Sequence, residues 1–402
     1  MSHTLTQDQI LIADTARAFA AKRLAPNAMA WEEAGSLDRA TLVDMAALGF
    51  AGIYVREDVG GSGLSRLDAA IIFEELSRGD VSHAAFVSIH NMASWMIDTF
   101  GNEDQRQLWL PRLTSMELIA SYCLTEPNSG SDAASLSTTA RRDGDHYVLN
   151  GTKAFISGAG FSDLYVVMVR TGEAGPKGIS TIVVEKDMPG LSFGKPEKKM
   201  GWHAQPTAQV IFTDCRVPVA NLLGEEGQGF SFAMKGLDGG RLNIAACSVG
   251  GASDALARAF AYASERKQFG KTLWDFQATQ FKLADMATEL KAARVLLHHA
   301  AASLDAHSPS ATKLCAMAKR FVTDIGFNVA NDALQIHGGY GYLRDYQVER
   351  IVRDLRVHQI LEGANEVMRV IIAREMMRGV EQNDIREGKI LCKCSTKLCL
   401  IS

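Results

Sequence analysis

The feature that most constrains this chain is a change in its hydrophobic periodicity, which occurs twice. From Thr6 to about Ser121 the apolar residues recur at helical spacing. From about Ser121 to Gly229 short apolar and β-branched runs take over, and from Phe230 onward long Ala-rich helical patterns return with few prolines. This order argues against a doubly wound sheet, in which strands and helices alternate throughout.

This order predicts a mainly α-helical protein with a small central β-barrel domain. We expect an N-terminal helical domain over residues 1–120, the β domain over 121–230, a four-helix bundle over 231–378, and an atypical, disordered tail over 379–402. The predicted bundle helices are, within loose bounds, 242–265, 277–304, 310–336 and 348–360.

Strands within the β domain are predicted from three runs, which are 147–149, 164–169 and 179–184. The pairs Asn150-Gly151, Thr171-Gly172 and Pro189-Gly190 are typical of turns and are expected to bound them.

Composition narrows the classes of partner. With 402 residues, a net charge of −4 and 22% charged residues, the chain favours neither nucleic acid nor an anionic membrane. No apolar run reaches the length of a membrane span, and the polar start predicts neither a signal peptide nor a transit sequence. The four scattered cysteines at 123, 215, 247 and 315 are typical of reduced core residues in an intracellular protein, and their spacing indicates no metal site.

One acidic residue is placed where it could act as a base. Glu362 precedes Gly363 in a turn-prone stretch, and a helical pattern follows with Asn365 as the expected N-cap. A carboxylate in such a loop can project into a cleft and accept a proton if burial raises its pKa. For a lone Glu, a solvated acid near a helix start is the more common case.

A second candidate is the loop from Tyr122 to Asp132, which is dense in hydroxyl groups and contains a Gly and a Pro. Its backbone N–H groups and small side chains suit a planar or phosphate-bearing ligand. By composition alone, a polar turn is the favoured interpretation.

Five separated strings resemble the acyl-CoA dehydrogenases, and they follow one another in that family's order. They are L-T-E-P-N-S-G-S-D at 124–132, K-A-F-I-S-G-A at 153–159, R-K-Q-F-G at 266–270, Q-I-H-G-G-Y-G-Y at 335–342 and Q-I-L-E-G-A-N-E at 359–366. The resemblance runs from about residue 5 to residue 378, and that family has the same helical, β, helical order.

The resemblance implies FAD as cofactor and names the residues that would contact it. Those expected around the flavin ring are Tyr122, Cys123, Leu124, Thr125, Glu126, Pro127, Asn128, Ser129, Gly130, Ser131, Phe155, Ile156 and Ser157. Many family members carry Trp in place of Phe155. Arg266, with Phe276 and Gln277, would contact the FAD pyrophosphate of a neighbouring subunit, a task that suits a guanidinium. Those expected near the rest of FAD are Gln335, Ile336, His337, Gly338, Gly339, Ala364, Asn365 and Glu366.

The resemblance also implies an acyl-CoA pocket and a base. The pocket would be lined by Ser131, Asp238, Gly239, Gly240, Arg241 and Arg374. Family members carry the base either in the loop occupied here by Glu362 or immediately before the arginine that corresponds to Arg241. The second position is Gly240 in this chain, so the resemblance assigns the base to Glu362.

The implied reaction is removal of the α-proton by Glu362 while the β-hydrogen leaves as hydride to the flavin. Shorter strings at 88–98, 130–136 and 190–195 are closest to members that convert isobutyryl-CoA to methacrylyl-CoA, with straight short-chain and 2-methylbutyryl thioesters left open. The resemblance further implies a homotetramer, an electron-transferring flavoprotein as acceptor, and the mitochondrial matrix or bacterial cytoplasm as compartment. An acyl-CoA oxidase and a flavin-binding protein without turnover are the alternatives.

The tail departs from the family after about Gly379. Its last residues, Cys399 to Ser402, formally fit a prenylation box, with Cys392 and Cys394 close by. An altered reading frame or an artefact of expression is the preferred interpretation.

Overall fold

The computed structural model describes residues 5–386, and the side chains of residues 5–378. Its N-terminal part is helical. Its helices are α1 (Gln7–Phe19), α2 (Ala28–Ala34), α3 (Arg39–Ala47), α4 (Arg66–Ser77), α5 (Val81–Phe100) and α6 (Glu103–Thr114). Thr6 and Gln9 form a capping box at the start of α1, so two N–H groups of its first turn have partners. Helix α5 is buried along nearly its whole length, which makes it the centre of this part.

The predicted β domain is confirmed as one eight-stranded sheet. Its strands are β1 (Ala120–Cys123), β2 (Thr139–Asp143), β3 (His146–Ser157), β4 (Leu164–Arg170), β5 (Ile179–Glu185), β6 (Leu191–Phe193), β7 (Thr207–Pro218) and β8 (Leu222–Leu223). They pair in the order β6-β7-β3-β2-β4-β5-β8, and β1 pairs in parallel with β4. Strands β4 and β5 are buried on both faces, which explains their continuous apolar runs.

The C-terminal part is a helical bundle built around one long helix. Helix α7 (Gly229–Glu265) leads through the short strands β9 (Lys267–Gln268) and β10 (Lys271–Thr272) to α8 (Gln277–Asp305), α9 (Ala311–His337), α10 (Val348–Arg356) and α11 (Asn365–Arg386). Helix α7 packs on α8 and α9 and also on α4 and α5, so it connects the two helical parts. Its Ala- and Gly-rich sequence permits this close packing, since small side chains let neighbouring helices approach.

Several predicted boundaries are wrong, each for a local reason. Asn150-Gly151 lies inside β3 and is not a turn; the pairing with β7 shifts register at this point, and β7 carries the extra residue. Helix α7 begins at Gly229 instead of residue 242, because burial against α5 outweighs the low helix propensity of its glycines. The last predicted bundle helix ends at Arg356 and a 3₁₀ turn follows.

The C-terminal segment is only partly described. Residues 379–386, expected to lie in a disordered tail, continue helix α11. The three tail cysteines and the prenylation box lie outside the described residues. The domain boundaries expected at residues 120 and 230 stay a prediction.

Candidate active site

Glu362 lies in a sharp turn between α10 and α11. Its φ of 53° is left-handed, and Gly363 follows with a φ of 90°. Left-handed backbone is unfavourable for a residue with a Cβ, so surrounding contacts must hold it. Asn365 is the first residue of α11, and its side chain is bonded to α9 and does not serve as the predicted N-cap.

The side chain of Glu362 faces helix α7. Arg241 is buried, and its Nη1 donates to Oδ1 of Asp238 over 2.6 Å. The Thr312 hydroxyl on α9 donates to the other oxygen of Asp238 over 2.8 Å. A Cβ on Gly240 would lie 2.5 Å from Oε2 of Glu362, so this glycine makes room for the carboxylate. The structure therefore brings Asp238, Gly240, Arg241 and Glu362 together.

The Glu362 carboxylate is poised to take up a proton. Its Oε2 atom is inaccessible to solvent and has no hydrogen-bond partner. Burial raises the pKa of Glu362 to about 7, against the opposing charges of Arg241 and Lys319. The buried hydroxyl of Tyr122 also lacks a partner, and burial raises its pKa well above the usual value. A carboxyl group with a pKa near neutrality and a free oxygen can act as a general base.

The loop from Tyr122 to Ser131 is fixed to the sheet by a buried ion pair. Lys153 on β3 is fully buried, and its Nζ donates to Oε1 of Glu126 over 2.8 Å and to the carbonyl of Leu124 over 3.1 Å. Glu126 also accepts the N–H groups of Ser137 and Thr138. The side chains of four predicted flavin-contacting residues are buried in the protein, namely Cys123, Leu124, Glu126 and Ser129. Each of these four residues as a whole is at most 8% exposed, so the protein itself covers them.

The remaining members of this group face outward. Thr125 is half-buried, and exposed surface is presented by Pro127, Asn128, Gly130 and Ser131. On β3, the Phe155 side chain is 67% exposed, whereas that of Ile156 is buried in the sheet core. Oγ of Ser157 accepts a hydrogen bond from Nε2 of Gln205. A side-chain contact to a ligand is thus available from Phe155 but not from Ile156.

A separate cavity of about 400 Å³ brings the second group of predicted flavin residues together. It is lined by Arg266, Ile336, His337, Gly338 and Gly339, among others. No atom lies within 4 Å of a Cβ placed on Gly338 or Gly339, so their backbone is open to a ligand. Nδ1 of His337 donates to the carbonyl of Ala333, and its ring stacks on Tyr262, which fits a structural histidine. Gln335 is exposed at the end of α9.

Other predicted residues lie outside these two clusters. Phe276 and Gln277 begin α8, where the Phe276 ring packs edge-on against Phe269. Arg374 and Glu366 are exposed on α11, while Ala364 lies partly buried before it. Gly239 faces the guanidinium of Arg66.

Three residues near Glu362 were not found from the sequence. Lys319 on α9 is fully buried beside the Glu362 turn. The Arg66 guanidinium lies 3.7 Å from the centre of the Tyr54 ring, and its Nη1 has no hydrogen-bond partner. The only signal for Lys319 is a lysine on the apolar face of α9, next to Ala316 and Ala318. Nothing in the sequence around Tyr54 or Arg66 indicates that they approach residue 362.

These features fit a flavin dinucleotide. The exposed aromatic ring of Phe155 can cover a planar ring system, and Arg266 with the open glycine backbone can meet a pyrophosphate. Among the residues that the structure describes, no group of three or more His, Cys, Asp or Glu side chains could hold a metal ion. Within the same part of the chain, no helix is long and apolar enough to span a membrane.

A helical domain, a β-sheet domain and a helical bundle, with a buried carboxylate in the bundle, define the fold of a particular class of flavoenzyme. Models of the acyl-CoA dehydrogenase N-terminal, middle and C-terminal domains match residues 6–117, 121–215 and 227–377, respectively. The chain belongs to the acyl-CoA dehydrogenase family.

Individual relatives cover nearly all of the chain. The mitochondrial isobutyryl-CoA dehydrogenase of Dictyostelium discoideum is 60% identical over 93% of this chain and 90% of its own length. That of Bos taurus is 56% identical over the same shares. A chain solved in work on the electron transferring flavoprotein of Acidaminococcus fermentans is 44% identical, with a TM-score of 0.92, over 94% of this chain and all of that one.

Proposed function

We propose that this protein oxidises short branched acyl-CoA thioesters between the α and β carbons in an FAD-dependent reaction, with isobutyryl-CoA giving methacrylyl-CoA. The observation that carries the proposal is the Glu362 carboxylate, whose free Oε2 faces Gly240 beside Arg241 and whose pKa lies at about 7. The α-hydrogen of a thioester is weakly acidic, so its removal needs a desolvated base of this kind.

Glu362 takes the α-proton onto its carboxylate. The left-handed turn aims that carboxylate at α7, and the glycine at position 240 keeps the approach open. Arg241 is held by Asp238 and offsets part of the cost of a buried negative charge before the proton arrives. The backbone N–H of Glu362 is one donor that can stabilise the carbonyl oxygen of the substrate.

FAD, when bound, supplies the acceptor for the β-hydrogen as hydride. Phe155 and the outward-facing part of the Tyr122 to Ser131 loop would hold its ring. Arg266 would hold the pyrophosphate of the FAD of a neighbouring subunit, and the open backbone of Gly338 and Gly339 would face the adenine half of FAD. The Lys153–Glu126 ion pair fixes the Tyr122 to Ser131 loop to the sheet.

The preference for a branched chain rests on the two relatives named above, which are isobutyryl-CoA dehydrogenases. Both are mitochondrial by name, and the mitochondrial matrix or the bacterial cytoplasm is the proposed compartment. An electron-transferring flavoprotein is the proposed acceptor, since a related chain comes from work on such a protein.

A homotetramer is proposed because large apolar side chains are exposed around the Arg266 cavity. Phe269 is 94% exposed and Tyr342 82% exposed in the single chain. Association of subunits would cover such surface.

The test is anaerobic titration of the purified flavoprotein with isobutyryl-, butyryl-, 2-methylbutyryl- and isovaleryl-CoA, following the visible absorbance of the flavin. Rapid bleaching by isobutyryl-CoA is expected. Bleaching mainly by another thioester would replace the proposed substrate within the same chemistry. Bound flavin that no thioester reduces would contradict turnover, and a colourless protein would contradict flavin binding.

A further inference from the structure

Lys319 connects helix α9 to the turn that carries Glu362. Its Nζ donates to the carbonyl of Gly363 over 2.7 Å and to Oδ1 of Asn365 over 2.9 Å. The whole residue is buried. A buried ammonium group is costly unless its protons find acceptors, and here two of its three protons are engaged by the residues that follow Glu362.

We infer that Lys319 is a positioning residue for the general base. Its ammonium group holds the Gly363 carbonyl and the Asn365 amide, and thereby fixes the left-handed turn that directs the Glu362 carboxylate at Gly240. This inference rests on the proposed function, because it assigns Lys319 a task in the same proton transfer.

The turn needs such a support. Glu362 has a left-handed φ, and its own Oε2 makes no hydrogen bond that could hold it there. Asn365 is further bound to Thr323 and Asp324 of α9, so Lys319 belongs to a set of contacts between α9 and the start of α11. Removal of the ammonium group would leave the half-buried Gly363 carbonyl without this partner.

Lys319 also acts on Glu362 through charge. Burial lowers the pKa of Lys319 to about 7, while the Glu362 carboxylate opposes that shift. The charged groups that act on the Glu362 site from the packed elements are Arg241 and Asp238 of α7, Lys319 and Asp324 of α9, Glu366 of α11 and, near Tyr54, Arg66. Arg241 and Lys319 are the two whose charges lower the pKa of Glu362.

A purely structural role for Lys319 predicts a different result from its substitution. Its loss would lower thermal stability and flavin content but would leave the pH dependence of proton removal unchanged. A positioning residue beside the base changes both the rate per bound flavin and the pH at which the base ionises. The two cases are therefore distinguished by the pH profile.

The test compares Lys319→Met and Lys319→Arg with the wild type in single-turnover flavin reduction by isobutyryl-CoA across pH, with rates normalised to bound flavin. Without the positive charge, Glu362 ionises at higher pH. The midpoint of the increase in flavin reduction rate with pH should therefore be about one pH unit higher in Lys319→Met. The rate should also fall by about tenfold or more at neutral pH. Lys319→Arg stays charged throughout, whereas the pKa of Lys319 is about 7, so its midpoint should lie at or below that of the wild type.

Lys153→Met is the matched control, because Lys153 is an equally buried lysine bonded to a carbonyl and a carboxylate in the β domain. It should lower stability or flavin content and leave the midpoint unchanged. If Lys319→Met does not fold, Lys319→Gln keeps a donor without the charge and should show the same upward shift. A wild-type midpoint in the uncharged variants would overturn the inference. Failure of the wild type to be reduced by any thioester would instead overturn the proposed function.

Discussion

Gly240 of α7 and Glu362 of the turn before α11 lie against each other, so that a Cβ on the glycine would come within 2.5 Å of Oε2 of the carboxylate. These residues correspond to the two positions from which members of the family supply the base. Their closeness explains how either position can serve, since a carboxylate from α7 and one from the turn would reach the same space.

Gly240→Ala should slow flavin reduction without removing the flavin. The added methyl group would meet Oε2 of Glu362 and, at 3.0 Å, Sδ of Met92, so the carboxylate must move. A displacement of this kind costs about a hundredfold in rate. Stopped-flow reduction by isobutyryl-CoA measures it. The control is Gly236→Ala one turn earlier, where the closest atom to the new methyl group would be Sδ of Met96 at 3.3 Å, and a smaller effect is expected. Equal rates in both variants would contradict the assigned approach of Glu362.

Glu362→Gln should retain flavin and acyl-CoA binding but lose flavin reduction. The amide has the size of the carboxyl group and cannot accept the α-proton, and loss of a general base costs about 10² to 10⁴ in rate. The flavin spectrum, with and without substrate, separates binding from reduction. Glu173→Gln, at an exposed position of the β domain, is the control and should behave as wild type. Substantial reduction in Glu362→Gln would move the base elsewhere.

The raised pKa of Glu362 predicts opposite effects of pH on activity and on stability. Activity needs the ionised carboxylate, so flavin reduction should rise with pH through about 7. The folded protein binds the Glu362 proton more tightly than the unfolded chain, so this group's contribution to stability is lost as pH rises from about 4 to about 7. Glu362→Gln should therefore gain stability relative to wild type, by roughly 1–3 kcal/mol, above pH 7 but not at pH 4. Urea unfolding at both pH values tests this, and an equal difference at both would contradict it.

The sequence was most informative where local pattern and packing agree. The order of helical and β parts follows from the spacing of apolar residues, and strands β4 and β5 were found because both faces are buried. Helix α7 was placed too short, since glycines 236, 239 and 240 have low helix propensity when considered locally. Their use appears only when Met96, Arg66 and Glu362 are seen to pack against them.

The site shows the same limit. Glu362 was predicted as the base through the resemblance, but its left-handed backbone and free Oε2 depend on tertiary contacts. Lys319 was missed because its partners at 363 and 365 lie more than forty residues further along the chain. A single lysine on an apolar helix face does not indicate which distant carbonyl will receive its protons.

The buried pair of Lys153 and Glu126 should be essential for the β domain at neutral pH. Lys153 and the N–H groups of Ser137 and Thr138 outweigh the effect of burial and lower the pKa of Glu126 to about 2. A depressed pKa contributes stability above about pH 4.5 that is lost as pH falls towards 2. Glu126→Ala leaves the Lys153 charge buried without its carboxylate, which should cost about 3–5 kcal/mol at pH 7. The difference from wild type in urea unfolding should shrink as the pH is lowered. Asp143→Asn, which removes an exposed ion pair with Arg216 in the same sheet, should change stability little. A similar small change in Glu126→Ala would show that the buried pair does not hold the loop.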